Sequence, residues 1–127
     1  MNPESSKPGK QRKAAYDESL AERQKRLSAH LSKPLKKELG IRSLEVRKND
    51  RVKIMRGKHK GKEGKIISVN HTSKRIFVDK ITRKKGDGTE KHLPLEASNL
   101  MIVEADRSDE RRLAAKGGPK QKKQGEK

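Results

Sequence analysis

The chain has no cysteine and no tryptophan, and its 127 residues include a single tyrosine, Tyr16, and a single phenylalanine, Phe77. Without thiols there is no disulfide framework, no thiolate zinc or iron-sulfur site and no cysteine nucleophile, a composition that fits a reducing compartment. Apolar residues are also scarce, at 28%, which limits the chain to one small domain with a modest core. No stretch approaches the roughly 18 apolar residues of a membrane span, and the opening MNPESSKPGKQRK lacks the apolar segment of a secretory signal. The expectation is a cytosolic protein that does not enter a membrane.

Positive charge is what the chain has in excess. Lys and Arg number 35 against 17 Asp and Glu, a formal charge of +18, far above the magnitude of about 2 to 8 that keeps a small domain soluble. Such a surplus repels itself unless a polyanion neutralises it, which points to nucleic acid ahead of an anionic membrane or a merely solvated surface. The excess runs along the whole chain, so the ordered part is itself basic. The four histidines, His30, His59, His71 and His92, lack metal-ligand spacing, and no nucleophile elbow or carboxylate pair is present. No metal, cofactor, small-molecule substrate or enzymatic activity is therefore expected.

Four segments follow from the patterning. Residues 1–16 are rich in Pro, Gly, Ser and Lys without apolar periodicity and read as a basic arm, flexible when free, with Lys10, Arg12 and Lys13 as its candidate nucleic-acid contacts. Residues 17–40 read as a short helical extension. Leu20, Leu27 and Leu31 predict a helix from Asp17 to Leu31; a Ser32 cap, Pro34 in the first turn and Gly40 as the stop predict a second over Lys33 to Leu39.

Residues 41–103 take strand spacing, in Val52 with Ile54, Ile66 and Ile67 with Val69, Ile76 with Val78, Leu93 with Leu95, and Leu100 to Val103. Turn signals lie at Gly57 to Gly64, Asn70 to Ser73 and Gly86-Asp87-Gly88. About five short strands so spaced predict a mainly β chain forming a small barrel. Phe77, between Ile76 and Val78, reads as core, which argues against base stacking on the sheet. Residues 104–127 read as a basic C-terminal tail with a short helical stretch at Arg107 to Lys116.

The informative segment is Val52-Lys53-Ile54-Met55-Arg56-Gly57-Lys58-His59-Lys60-Gly61-Lys62-Glu63-Gly64-Lys65-Ile66. Its glycines permit turns that bring backbone N–H groups close to a ligand, while Arg56, Lys58, Lys60, Lys62 and Lys65 can meet phosphate oxygens around the same loop. Gly64, at the start of a strand, has a second explanation in close strand packing. The spacing excludes a P-loop, because Gly61-Lys62 is followed by Glu63 where Ser or Thr is needed.

Val52 to Ile66 resembles the KOW motif. The preceding run SKPLKKELGIRSLEVRKND, with Gly86-Asp87-Gly88-Thr89, Ser98-Asn99-Leu100 and the basic start SKPGKQRK, resembles the archaeal and eukaryotic branch of the twenty-fourth family of large-subunit ribosomal proteins. The resemblance implies an SH3-like barrel that binds the 5' region of large-subunit ribosomal RNA early in assembly, beside neighbouring ribosomal proteins and near the exit of the peptide tunnel. It implies RNA contacts at Gly57, Gly61 and Gly64 and at Arg51, Lys53, Arg56, Lys58, His59, Lys60, Lys62 and Lys65. One departure is Leu95-Glu96-Ala97-Ser98, where relatives often carry a His-Pro pair before the Ser; the acidic Glu96 argues against an RNA contact there. Two alternatives remain open, a protein-binding KOW module of the transcription-elongation type and a free RNA chaperone acting through its basic tails.

Overall fold

The computed structural model describes residues 4–114. The tail GGPKQKKQGEK and the end of the helix expected at Arg107 to Lys116 lie outside the described residues. In chain order the elements are α1 (Pro8–Tyr16), α2 (Leu20–Arg26), β1 (Ser28–Leu31), α3 (Lys33–Leu39), β2 (Ser43–Glu45), β3 (Arg51–Ile54), β4 (Glu63–Asn70), β5 (Arg75–Lys84), β6 (Glu90–Leu95), a 3-10 turn (Ala97–Asn99), β7 (Leu100–Glu104) and α4 (Glu110–Ala114). The seven strands join in the order β2-β1-β7-β3-β4-β5-β6, so the chain is mainly β, with a sheet bent around one core in the manner of a small barrel. Among the described residues no helix is long and apolar enough to cross a membrane.

Alternation sets which face of each strand is inside. On β3, Val52 and Ile54 are fully buried while Arg51 and Lys53 point outward. On β5, Ile76 and Val78 point inward, and an irregularity in its pairing with β6 falls between Phe77 and Thr82, where Lys80 has a φ of 65°. The extra residues bend the strand and let Ile81 return to the core three positions after Val78.

The structure differs from the sequence reading in several places. The helix expected from Asp17 to Leu31 ends at Arg26, and Ser28–Leu31 is a strand, antiparallel to β2 and parallel to β7. Ser19 and Glu22 close a capping box at its start, so the helix also begins later than expected. Leu27, Ala29 and Leu31 alternate with period two, and pairing on both sides wins over the weak helical preference of so short a stretch. The sheet accordingly has seven strands rather than about five.

Ser32 makes no side-chain cap for α3; it is buried, and its N–H donates to the Ile102 carbonyl (3.0 Å). Phe77 is not core: it lies half-buried on the outer face, opposite Pro94 of β6, because its neighbours Ile76 and Val78 take the inner one. The arm contains a helix, α1, none of whose residues is buried.

Leu27, Ala29 and Leu31, with Leu35 and Leu39 of α3, belong to the same apolar cluster as Val52, Ile66 and Ile102. The core therefore draws on the N-terminal third of the chain as well as on the barrel strands.

Gly64 shows how tightly this core closes. A Cβ there would lie 2.6 Å from Cγ1 of Val78 and 2.8 Å from the Asp79 carbonyl oxygen, so β4 and β5 meet only because the position has no side chain. Gly64→Ala is expected to lower stability by about 1–3 kcal/mol through overpacking. Urea unfolding followed by far-UV circular dichroism reads the change, and an unchanged midpoint would show that β5 shifts freely.

Candidate nucleic-acid interface

The hairpin between β3 and β4 carries most of the basic residues singled out from the sequence. Its base is closed by Ile54 N–H donating to the Lys62 carbonyl (2.9 Å) and Gly61 N–H donating to the Ile54 carbonyl (2.8 Å). Within the loop, Lys60 N–H reaches the Gly57 carbonyl (3.2 Å) and Lys62 N–H the His59 carbonyl (3.1 Å); Met55 N–H ties its edge to Asn99 (2.8 Å). Gly57 and Gly61 have φ of 96° and 87° with open space around them, so glycine is required there by backbone conformation, not packing. The loop is thus a tied structure presenting its side chains outward, not a slack basic turn.

Backbone hydrogen bonds decide which loop amides are available to a phosphate. The N–H of Gly61 is spent on Ile54, and those of Lys60 and Lys62 on other loop carbonyls. Among the described residues, the amides of Gly57, Lys58 and His59 have no acceptor, which leaves the first half of the loop as the side that can meet an anion. Gly64, half-buried at the start of β4 against β5, serves packing.

The predicted side chains divide by their partners. Arg56, Lys58 and Lys60 are exposed at the loop and make no ion pair with any described residue. Lys62 Nζ lies 3.3 Å from Nδ1 of the half-buried His59, and Lys65 is exposed on β4. Lys53 is half-buried on β3. Arg51 is tied up by Glu63 (3.2 Å) and Glu104 (3.6 Å), so two carboxylates already compete for its charge. Lys10, Arg12 and Lys13 are exposed on α1, an element apart from the hairpin.

Other cations are consumed within the fold. Arg75 pairs with Glu96 (2.6 Å), which gives the departure at Glu96 a structural role. Glu18 is almost fully buried and pairs with Lys74 (2.8 Å) and Arg26, joining the segment before α2 to the β4–β5 turn. Burial pushes the Glu18 carboxyl up, but the Lys74 hydrogen bond and the charges of Arg26 and Lys74 outweigh it and hold the group below the usual carboxylate range. Arg47 donates to Asp109 (2.6 Å), and that hydrogen bond leads the causes holding the Asp109 carboxyl low.

One buried ion pair was not visible in the sequence. Asp50, fully buried, accepts from the Arg112 guanidinium through both oxygens, and also from the N–H groups of Arg47 (3.0 Å) and Asp106 (2.9 Å). Arg112 donates further to the Glu45 carbonyl (2.7 Å). A residue read as part of a basic tail thus clasps α4 to the barrel. The sequence held no local signal for it, because the partners lie 62 positions apart.

Among the described residues no group of His, Asp and Glu is arranged to hold a metal ion. The model of a family that unites the eukaryotic ribosomal proteins L26 with their archaeal L24 counterparts matches residues 5–115. The chain is 46% identical over 112 residues to the large ribosomal subunit protein uL24 of Korarchaeum cryptofilum, covering 88% of this chain and 86% of that protein. It is 45% identical over 106 residues to the protein of the same name from Saccharolobus solfataricus, covering 84% of this chain and 89% of that one.

Proposed function

This chain belongs to the family of eukaryotic L26 and archaeal L24 ribosomal proteins, and from that membership we propose that it braces large-subunit ribosomal RNA through its β3–β4 hairpin. At the coarser level it is a structural, non-enzymatic component of the large ribosomal subunit in the cytoplasm. The observation that carries the finer reading is the tied loop presenting Arg56, Lys58 and Lys60 without an ion-pair partner among the described residues, on a chain of charge +18.

Phosphate oxygens are the ligands such a loop suits. Its cations stand on a backbone already fixed by hydrogen bonds, so little ordering entropy is lost on binding. Lys62, Lys65, Lys53 and His59 extend the contact along the hairpin, and Lys10, Arg12 and Lys13 add a second contact from α1. Arg51 contributes less, because RNA must compete with Glu63 and Glu104 for it. The RNA bound is the 5' region of the large-subunit molecule, taken up early in assembly near the tunnel exit, where neighbouring ribosomal proteins complete the surroundings.

The test is sedimentation of cell extract after a stringent high-salt wash, following the chain against large-subunit RNA. About one copy per large subunit is expected. Release to the top of the gradient would favour a free chaperone, and migration with RNA polymerase would favour an elongation-type module.

A further inference from the structure

Among the described residues the exposed large hydrophobic side chains are Tyr16 and Leu20, and Tyr16 is 82% exposed, at the end of a helix with no buried residue. Helix α1, PGKQRKAAY, carries three cations and no acidic group, contains Gly9 and lacks a side-chain cap. A nine-residue helix of this kind is not stable in water by itself. Something that complements it must cover it in the assembled state.

Its chemistry selects the cover. Arg12 and Lys13 precede Tyr16 by four and three positions and so share its side of the helix. A protein partner would meet only Tyr16 and Leu20 as large exposed apolar groups among the described residues, flanked by cations. An RNA strand offers what each group needs: a base face for the ring and phosphates for the cations. The position is also held. The Tyr16 carbonyl accepts from the Arg23 guanidinium (3.0 Å), and Asp17 N–H closes the helix end on the Lys13 carbonyl (3.0 Å). The ring therefore projects from an anchored point where α1 meets the body.

We propose that Tyr16 stacks on an unpaired base of large-subunit ribosomal RNA while Arg12 and Lys13 hold the adjoining phosphates. This rests on the RNA-binding reading above and adds a base-stacking anchor to it, on the arm and not on the sheet.

Tyr16 is the one tyrosine of a chain without tryptophan, so intrinsic emission reports on it alone. The full chain is titrated with a transcript of the 5' domain of Saccharolobus solfataricus large-subunit ribosomal RNA. Saturable quenching of that emission is expected. In filter binding, Tyr16→Leu should weaken affinity about 5- to 150-fold, the range for loss of one stacked base, by a similar factor at low and high salt. Tyr16→Phe should stay within about twofold of the parent, because the ring and not the hydroxyl is used. The double change Arg12→Ala with Lys13→Ala should instead flatten the salt dependence.

Unquenched emission at saturation, or Leu serving as well as Phe, overturns the stacking while the RNA-binding function stands. Quenching that appears only when other ribosomal proteins are added overturns it in favour of a protein cover. Absence of saturable binding by the parent chain removes both readings together.

Discussion

Asp50→Ala is expected to destabilise the protein by about 3–5 kcal/mol, the cost of leaving a buried charge without its partner. The substitution strands the Arg112 guanidinium, which is 6% exposed, and removes the acceptor from the N–H groups of Arg47 and Asp106. Arg112→Ala should cost a comparable amount, because α4 then loses its attachment to Glu45 and Asp50. Arg112→Lys should recover little, since an ammonium cannot span both carboxylate oxygens and the Glu45 carbonyl in the plane that the guanidinium fills.

Against a total stability of about 5–15 kcal/mol for a small domain, such losses leave the free protein near unfolding. Urea denaturation should show a lowered midpoint for each variant. The double Asp50→Ala, Arg112→Ala variant should be less destabilised than the sum of the single ones, as expected for groups in direct contact. Additive effects, or a midpoint that barely moves, would mean that the clasp is open in solution. Truncating the chain after residue 104 removes Arg112 together with the Arg47–Asp109 pair and the Asp106 N–H on Asp50, so it should cost at least as much as Arg112→Ala.

Affinity for isolated ribosomal RNA is expected to fall by roughly 10³ to 10⁵ between about 50 and 200 mM salt, if the chain neutralises about 6 to 10 phosphates. The magnitude follows from release of condensed counterions, and the slope is gentler where the RNA is single-stranded. The residues should not contribute equally. Replacing Arg56, Lys58 and Lys60 together by Ala should reduce the slope of log K against log salt by about 2 to 3, because each is exposed and has no ion-pair partner among the described residues. Arg51→Ala should change it far less, since Glu63 and Glu104 already hold that guanidinium. Filter binding across a salt series reads both. A flat salt response of the parent would count against phosphate binding as the source of affinity, and an Arg51 effect equal to that of a loop lysine would show that its carboxylate partners let go on binding.

Local patterns were legible wherever the physics was local. Pro34 near the start and Gly40 just after the end, with a φ of 68°, mark α3 in sequence and in space. Alternation of Val52 with Ile54 and of Ile76 with Val78 marked strands that the structure contains. The same alternation misled at Phe77, because a residue between two inward ones on a strand must face outward. At Leu27, Ala29 and Leu31 the spacing allowed both a helix and a strand, and partners far along the chain, β2 and β7, decided between them.

Composition alone determined that the protein is basic, free of thiol chemistry and unable to build a large core, since these depend only on which residues are present. The glycine-rich basic run likewise marked the hairpin, because positive φ at Gly57 and Gly61 is a local demand. Tertiary structure decided which cations stay available and which are bound within the fold. Arg56 and Arg112 look alike in a list of residues, yet one meets solvent and the other is buried on Asp50, for ion pairing depends on neighbours that only folding brings together.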